Sequence, residues 1–243
     1  MSFELVKTEF GVAVDRGSAG LLQLRQIVGI GKNYAEHAKE MGGSPPERPL
    51  IFTKNPASAC LTGEAIRIPA LCRDEATGGP AQVDFEAELA VIIGERCVDV
   101  PESGALDVVL GICGANDISA RWWQKQGSGG QFCRGKSFDT FCPLGPVVKT
   151  IDKVGDVQSL PIACRVSGET MQSASTGDMI FSVSTLIAEL SRATTLLPGT
   201  VILTGTPSGV GHGRDPKRYL LAGDTVEVEI GGVGVLSNPV EDA

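Results

Sequence analysis

The feature that most constrains the fold of this chain is how often glycine and proline interrupt it. The sequence has 31 glycines and 14 prolines among 243 residues, about one residue in five. Glycine weakens regular elements through its conformational freedom, and proline cannot donate a backbone hydrogen bond, so both collect in turns. This density favours many short strands joined by turns over a bundle of long helices.

Length and composition describe a chain that buries a core. Hydrophobic residues make up 42% of the sequence and charged residues 21%, which excludes an intrinsically disordered chain. No repeat and no long linker divides it, so we expect one domain over residues 26–243, preceded by a short N-terminal extension over residues 1–25. The net charge of −8 argues against binding to nucleic acid or to an anionic membrane surface.

The number of cysteines and histidines and the pattern of the first ten residues bear on zinc binding and on the cellular compartment. The seven cysteines are odd in number and form no C-x-x-C pair, which is typical of small core residues in a reducing compartment. The sequence has two histidines, His37 and His212, so a zinc site is not expected. Residues 1–10 lack an apolar stretch behind a basic head, and no apolar run approaches ~18 residues. We therefore expect a cytoplasmic protein without a signal peptide or transmembrane helix, or a mitochondrial matrix protein if the source is eukaryotic.

Hydrophobic periodicity predicts a mostly β chain with few, short helices. Alternation is clearest in residues 84–94 and in residues 223–230, after which Gly231-Gly232 predicts a hairpin back through residues 233–236. One short helix is expected over residues 33–41, and another over residues 185–193 with Ser182 or Ser184 as its N-cap. The remaining predicted elements are strands over residues 26–31, 108–116 and 200–205, a hairpin over residues 161–173, and surface loops over residues 42–49, 77–80 and 127–130.

The strand predicted over residues 84–94 begins with three carboxylates. Side chains alternate along a strand, which places Glu86 and Glu88 on one face, about 6.5–7 Å apart. That face continues into Ala90 and Ile92, so both faces look buried farther along, and neighbouring buried carboxylates repel each other. A divalent cation relieves the repulsion, and oxygen ligands favour Mg²⁺, Mn²⁺ or Ca²⁺. The alternative from the pattern alone is a solvated outer face.

Two further positions carry candidate chemistry. Asp117 ends the apolar segment over residues 108–116 and is a candidate third ligand; alternatively it caps a helix over residues 119–124. His37 and Glu40 are three residues apart, so on a helix they share a face. Imidazole is a base near neutral pH, and a carboxylate fixes its tautomer. The pair is a candidate general base, or alternatively two polar residues on an exposed helix.

Four short motifs occur in order along the chain. They are Asp84-Phe-Glu86-Ala-Glu88-Leu, Asn116-Asp117-Ile-Ser-Ala-Arg121, Gly135-Lys136-Ser-Phe-Asp139 and Leu203-Thr-Gly-Thr206-Pro-Ser-Gly-Val-Gly211. Together they resemble the fumarylacetoacetate hydrolase family, over about residues 26–240. The likeness is to its short form, in the acylpyruvase and fumarylpyruvate hydrolase branch. It implies a mixed α/β, mostly β fold, the fumarylacetoacetase C-terminal-like β-sandwich roll, and usually a homodimer.

The resemblance also implies roles for particular residues. Glu86, Glu88 and Asp117 would bind Mg²⁺ or Mn²⁺, with Ca²⁺ also suited to these ligands. Residues 33–42 would form a lid that orders when substrate binds, and within it His37 and Glu40 would position and deprotonate water. The other implied site residues are Lys136 as donor to a developing enolate oxygen, Arg121 and Gln124 on the substrate side, Thr206 for the substrate carboxylate, and Lys54 as a positive charge near the mouth.

Several of these residues have plainer alternatives. Lys136 lies in a glycine-containing segment, but the upstream glycine spacing of a phosphate-binding loop is absent, which leaves an ordinary surface lysine as the alternative. Arg121 can instead form a structural ion pair, and Thr206 can be a turn residue before Pro207. His212 shows no chemical partner in the sequence and is interpreted as a loop residue.

The implied activity is hydrolysis of a carbon–carbon bond in a 2,4-diketo acid, an acylpyruvate or fumarylpyruvate, to pyruvate and a carboxylic acid. The expected partner is a small anionic keto acid, as in the catabolism of aromatic compounds. The same machinery serves an isomerase of 2-hydroxy-dienoates or a decarboxylase of oxaloacetate, and a fold does not choose among them. The pair His37 and Glu40 favours hydrolysis, because an attacking water has to be activated.

The sequence disfavours two other classes of protein. A metal-dependent nuclease is disfavoured by the acidic net charge and by a Glu-x-Glu rather than a Glu-x-Lys spacing. A non-catalytic, metal-stabilised binding protein is disfavoured because every candidate catalytic position is filled.

Overall fold

The computed structural model describes residues 1–73 and 79–243. Within them the chain forms seventeen strands and four α-helices. The strands are β1 (Ser2–Thr8), β2 (Gly11–Asp15), β3 (Leu21–Gln23), β4 (Gln26–Gly31), β5 (Leu50–Lys54), β6 (Ala59–Leu61), β7 (Ile66–Ile68), β8 (Val83–Asp84), β9 (Ala87–Ile93), β10 (Val109–Asn116), β11 (Ser119–Ala120), β12 (Cys142–Lys149), β13 (Pro161–Val166), β14 (Glu169–Ser175), β15 (Thr200–Leu203), β16 (Thr225–Ile230) and β17 (Gly234–Asp242). The helices are α1 (Ala35–Glu40), α2 (Arg121–Gln124), α3 (Phe132–Lys136) and α4 (Val183–Ser191). None of these four helices combines the length and apolarity needed to span a bilayer.

Two main sheets carry most of the strands, which confirms the predicted mostly β fold. The larger has ten strands in the order β3-β2-β1-β12-β10-β9-β15-β4-β5, with β6 also paired to β12. The smaller has five, in the order β14-β13-β16-β17-β7, and β8 pairs separately with β11. Apolar side chains of both main sheets form one buried cluster. A second buried cluster is formed by side chains of the large sheet, including those of β2 and β3.

Strand β9 lies inside the large sheet between β10 and β15, and every one of its residues is buried. Leu89 and Val91 belong to the cluster shared by the two sheets, whereas Ala90 and Ile92 belong to the other. The alternation of side chains along a strand explains this division. The burial of both faces, predicted from the sequence, is confirmed.

Several other predicted elements are confirmed with small shifts. The strand over residues 26–31 is β4, the hairpin around Gly168 is β13 and β14, and β16 turns back into β17. Helix α4 begins two residues earlier than predicted. Its N-cap is Ser182, whose hydroxyl accepts a hydrogen bond from the Thr185 amide at 3.1 Å.

The prediction of one continuous strand over residues 84–94 is wrong. The chain leaves the ladder at Phe85 and Glu86, between β8 and β9. The Glu86 amide donates to the Asn116 side chain at 3.0 Å, and the Asp117 amide donates to the Glu86 carbonyl at 2.9 Å. These bonds replace regular pairing, so Glu86 lies in an irregular segment beside Asp117. Asp117 does not cap a helix, since α2 begins at Arg121 with Ala120 as its N-cap.

The N-terminal extension predicted over residues 1–25 contributes strands to the large sheet. It forms β1, β2 and β3, and β1 pairs with β12 in the large sheet. Residues 42–49 and 127–130 contain no strand, in keeping with the predicted loops, while residues 77–78 of the third predicted loop lie outside the described residues. Six of the seven cysteines are buried as free thiols, and Cys133 is exposed.

Candidate metal centre

Three buried carboxylates converge where β9 begins and β10 ends. Glu86 precedes β9, Glu88 is its second residue, and Asp117 follows β10. One ligand oxygen from each lies within 4.8 Å of those of the other two. The hydrogen bond from the Asp117 amide to the Glu86 carbonyl and the antiparallel pairing of Glu88 with Ala115 bring them together. This is the arrangement that the metal-site hypothesis requires.

Two lysines neutralise part of this negative charge. Lys136 Nζ donates to Glu86 Oε2 at 2.8 Å, to Asp117 Oδ2 at 2.5 Å and to the Ser119 hydroxyl at 2.8 Å. Lys54 Nζ donates to Asp117 Oδ1 at 2.5 Å. Burial alone would raise the pKa of Glu86, but the charges of Lys136 and Arg121 hold that pKa well below its usual range. Glu86 and Asp117 are therefore paired carboxylates.

Glu88 lacks such a counter-charge. It is 1% exposed, and within residues 1–73 and 79–243 no lysine or arginine nitrogen lies within 4.0 Å of its carboxylate. Its Oε2 accepts a hydrogen bond from the Gly205 amide at 2.6 Å. Burial, with the charges of Asp117 and Glu86, raises the pKa of Glu88 well above its ordinary value. A buried carboxylate beside two others fits a divalent cation, and the all-oxygen donor set suits Mg²⁺ or Mn²⁺.

Gly205 has to be glycine to present its amide to Glu88. Its φ of +100° is strained for other residues, and an added Cβ would lie 2.6 Å from the Asn33 Cβ. The turn that follows β15 is thus shaped by the carboxylate on one side and by Asn33 on the other.

Arg121 forms the structural ion pair considered for it, and its predicted contact with substrate stays a prediction. It forms ion pairs with Asp84 Oδ2 at 2.6 Å and with Glu86 Oε1 at 2.6 Å, and it also lines the cavity above the carboxylates. Asp84 in turn accepts hydrogen bonds from the amides of Gly211 and His212 at 2.8 and 3.0 Å. Asp84 therefore connects Arg121 to the loop after β15, a role that sequence reasoning missed although the residue lies in the first motif.

His37, which is buried, and Glu40, which is half-buried, form a pair on α1. Their Nδ1 and Oε2 atoms are 3.0 Å apart, and His37 is 5% exposed. The other oxygen of Glu40 accepts a hydrogen bond from the Gly209 amide at 2.8 Å. His37 lines the same cavity as Glu86 and Glu88, so the alternative of two exposed polar residues does not describe them. Because Glu40 engages Nδ1, Nε2 is the ring nitrogen left to act on a ligand.

The remaining predicted site residues divide into two groups. Gln124, Lys136 and Thr206 line the cavity. Lys54 does not line it: β5 alternates, and Phe52 and Lys54 both point inward, so the ammonium lies behind Asp117 rather than at the mouth. Its charge reaches the site through that carboxylate.

Gln172 is a site residue that sequence reasoning missed. Its Nε2 donates to the Thr206 hydroxyl and to the Pro207 carbonyl, both at 2.7 Å, and its Oε1 accepts from the Ala87 amide at 2.9 Å. It therefore links the start of β9 to the turn that carries Thr206. The available signal was a glutamine at an inward position of a strand, where an apolar residue is usual.

Asn33 holds the segment that leads into α1. Its Nδ2 donates to the carbonyls of Thr204 and Phe181 at 2.7 and 3.0 Å, and its Oδ1 accepts from the Phe181 amide at 2.8 Å. The side chain is fully buried. The segment predicted to act as a lid is thereby anchored at its base to the turn after β15.

We expect Asn33→Ala to lower the free energy of unfolding by about 2–3 kcal/mol, because it leaves buried backbone groups without partners. Urea unfolding of the metal-free protein measures the loss. Asn55→Ala is a matched control, since the Asn55 side chain is exposed and accepts one hydrogen bond, from Ala57. Equal losses in the two variants would contradict the role given to Asn33.

Residues 26–241 match the family described as fumarylacetoacetate (FAA) hydrolase, C-terminal. The chain belongs to this family. The match includes every residue of the carboxylate triad and the pair on α1, and it confirms the resemblance drawn from the four motifs.

Individual relatives in the family differ in the reactions for which they are named. The mitochondrial oxaloacetate tautomerase of Xenopus laevis is 44% identical over 215 residues, which are 88% of this chain and 65% of the relative. This chain thus spans slightly less than two thirds of that protein. The solved fumarylpyruvate hydrolase of Pseudomonas aeruginosa, in complex with Mn²⁺ and pyruvate, is 29% identical with a TM-score of 0.83, covering 98% of this chain and 99% of that one.

A third relative is the solved 5-carboxymethyl-2-hydroxymuconate delta-isomerase of Mycobacterium smegmatis. It is 33% identical, with a TM-score of 0.81, and covers 100% of this chain and 99% of that one. Hydrolase, isomerase and tautomerase therefore all occur among proteins similar to this chain.

Proposed function

We propose that this protein is a metal-dependent hydrolase that cleaves the C3–C4 bond of a 2,4-diketo acid, giving pyruvate and a carboxylic acid. The observation that carries the proposal is that His37, oriented by Glu40, lines the cavity that Glu86 and Glu88 of the carboxylate triad also line. A base oriented by a carboxylate beside a metal site is what activation of a water molecule needs.

Glu86, Glu88 and Asp117 are the residues that would hold the metal, Mg²⁺ or Mn²⁺. When bound, the metal polarises the 2-oxo group of the substrate as a Lewis acid and so stabilises negative charge that develops at C3. The similar fumarylpyruvate hydrolase was solved with Mn²⁺ and pyruvate, which supports both the ion and the product class.

The chain's own residues supply the proton transfers. Nε2 of His37 accepts a proton from water, and Glu40 holds the ring and stabilises the imidazolium. The resulting hydroxide attacks the C4 carbonyl, the C3–C4 bond breaks, and its electron pair stays on the pyruvate part as an enolate. Lys136 lines the same cavity, and its three ammonium protons are directed to Glu86, Asp117 and Ser119. It therefore stabilises that charge through its positive field and not through a hydrogen bond of its own. The imidazolium then returns the proton to C3.

A second candidate is an oxaloacetate tautomerase or a related isomerase. The 44% identity to the Xenopus tautomerase favours it. In that reaction His37 would move a proton between C3 and the 2-oxygen, and no water would be consumed. Decarboxylation of oxaloacetate is a further variant of the same site.

A substrate panel separates these functions. Acetylpyruvate, fumarylpyruvate and enol-oxaloacetate are followed by loss of enol absorbance, with Mg²⁺ and with EDTA, while pyruvate is assayed by coupling to its reduction. We expect metal-dependent loss with pyruvate for at least one acylpyruvate. Loss of absorbance on enol-oxaloacetate alone, without pyruvate, would assign the tautomerase instead.

The homodimer implied by the resemblance remains part of the proposal, as does a place in aromatic catabolism. Light scattering of the purified protein tests the first, and the acyl group preferred in the panel tests the second.

A further inference from the structure

A surface groove adjoins the cavity of the candidate metal centre. Residues 50–53 of β5 line one side of it, and residues 130–133, where α3 begins, line the other. None of these side chains carries a charge. Among the described residues, Phe52 and Phe132 alone line both this groove and the cavity. We call it the outer groove, and the two phenylalanines separate it from the cavity.

The two phenylalanine rings form a wall close to the metal ligands. Their centroids lie 5.8 Å apart and their planes are tilted by 57°, a distance at which aromatic rings are in contact. Lys136 Nζ lies 4.9 Å from the centroid of the Phe52 ring and 2.8 Å from Glu86 Oε2. A chain that leaves the triad past Lys136 therefore meets this wall before it reaches the outer groove.

Phe52 is the fixed half of the wall. It is 8% exposed, and it pairs with Gly29 of β4. A Cβ at Gly29 would lie 2.2 Å from the Phe52 ring, so the ring occupies the space that a side chain there would need. The ammonium of Lys136 lies over the same ring. Replacement of Phe52 would therefore disturb both β4 and the lysine that pairs with the triad.

Phe132 is the half of the wall that the core does not need. It is the first residue of α3, is half-buried, and belongs to neither of the two buried apolar clusters. The next residue, Cys133, is exposed, and its Sγ lies 3.7 Å from the Thr53 hydroxyl, so the two sides of the outer groove are in contact there. Loss of the Phe132 ring would join the cavity to the outer groove without removing a core side chain.

We propose that Phe132 is a specificity-determining residue whose ring sets the longest acyl group that the cavity accepts. A longer chain would extend into the outer groove once the ring is removed. The chain has to be apolar, because neither the wall nor the groove carries a charge. The inference rests on the proposed function for the position of the 2-oxo acid end of the ligand, at the metal triad.

A series of unbranched 2-oxo acids tests the inference without any reaction. Isothermal titration of the Mn²⁺-loaded protein compares 2-oxobutanoate, 2-oxohexanoate, 2-oxooctanoate and 2-oxodecanoate. Each methylene group that becomes buried should raise the affinity about fourfold. In the parent protein we expect this rise to level off before 2-oxodecanoate, because the longer chains meet the wall.

Phe132→Ala should let the rise continue to the end of the series. We expect 2-oxodecanoate to bind this variant at least about tenfold more tightly than the parent, the effect of two further buried methylene groups, and 2-oxobutanoate to bind both within about twofold. Equal binding of 2-oxobutanoate also shows that the variant is folded. Phe132→Tyr keeps a ring and should keep the parent's dependence on chain length. Phe10→Ala is a matched control, since Phe10 is 78% exposed and lines neither space.

Cys133 provides a second readout, of the place that the chain occupies. It is exposed in the outer groove, whereas the other six cysteines are buried, so iodoacetamide should label it first. In Phe132→Ala, 2-oxodecanoate at about ten times its Kd should slow this labelling about tenfold, because about a tenth of the sites stay open. 2-Oxobutanoate at the same occupancy should not slow it, and in the parent protein neither ligand should.

The same dependence on chain length in the parent and in Phe132→Ala would overturn the inference. So would a Cys133 that iodoacetamide does not label in the ligand-free variant, since a second copy of the chain would then cover the outer groove. None of these ligands has a C4 carbonyl, so both outcomes are independent of hydrolysis. Failure of the proposed function would appear instead as no binding of 2-oxobutanoate to either protein, or as consumption of an acylpyruvate without pyruvate.

Discussion

Replacement of Glu88 with glutamine is expected to abolish metal-dependent activity and, at the same time, to stabilise the metal-free protein. Glu88 is the one triad carboxylate that no lysine or arginine contacts among the described residues, and its only hydrogen-bond donor there is the Gly205 amide. A neutral amide cannot neutralise the cation, so we expect activity to fall about 10³-fold or more, the loss of several kcal/mol of charge stabilisation.

The stability effect has the opposite sign because the pKa of Glu88 is raised in the folded protein. At pH values above the ordinary glutamate pKa of about 4.3 the unfolded chain is ionised, while the folded protein must bury the charge or take up a proton. That cost is present near pH 7 and disappears as the pH falls below the ordinary value. We expect Glu88→Gln to gain about 1–3 kcal/mol at pH 7 in EDTA, and little at pH 4.

Urea unfolding in EDTA at the two pH values measures the gain, and titration with Mn²⁺ measures the loss of affinity. Glu227→Gln is the control: Glu227 lies on β16, away from the cavity, and should change neither quantity. A metal-free Glu88→Gln protein that is less stable than the parent at pH 7 would contradict the electrostatic assignment of Glu88.

Replacement of His37 with glutamine is expected to reduce hydrolysis about 10²–10⁴-fold, the range typical of a lost general base, while metal binding is retained. His37 lines the cavity and contacts Glu40. It does not belong to the group of side chains that would bind the metal, which is Glu86, Glu88 and Asp117. Steady-state rates with an acylpyruvate measure the first effect, and calorimetric titration with Mn²⁺ measures the second.

Helix α1 provides a matched control for this variant. Glu36 and Lys39 have the same spacing as His37 and Glu40, and they form an ion pair at 2.6 Å on the exposed side of the same short helix. Glu36→Gln should therefore leave the rate unchanged within about twofold, since an exposed pair contributes little. If His37→Gln were as active as the parent protein, the proposed base would be wrong.

How far the sequence predicts this fold depends on where local pattern and tertiary structure agree. Strand β4, the hairpin of β13 and β14, and the Ser182 cap follow from alternation and turn chemistry, which are local. The interruption between β8 and β9 at Glu86 does not, because it depends on a hydrogen bond from the Glu86 amide to Asn116, thirty residues away. Strand β12 was missed because Pro143 and Pro146 make it read as a loop, although it pairs with β1, β6 and β10.

The candidate site shows the same division. Acidic residues at alternate positions and a His-x-x-Glu spacing are visible in the chain itself, and the structure places both in one cavity. Residues that act through another residue carry no such signal. Gln172 donates to the Thr206 hydroxyl, and His212 Nε2 lies 3.4 Å from Lys125 Nζ; both partners are distant in sequence. Lys54 differs from its expected place because β5 directs it inward.

The most direct test of a metal-dependent carbon–carbon hydrolase is the product stoichiometry of a single substrate. Carbon-13 NMR of labelled fumarylpyruvate, incubated with the Mg²⁺-loaded protein and with the protein in EDTA, counts every product. We expect one pyruvate and one fumarate for each substrate consumed with Mg²⁺, and unchanged substrate in EDTA. Conversion to an isomer without pyruvate, or equal cleavage in EDTA, would contradict the assignment as a metal-dependent carbon–carbon hydrolase.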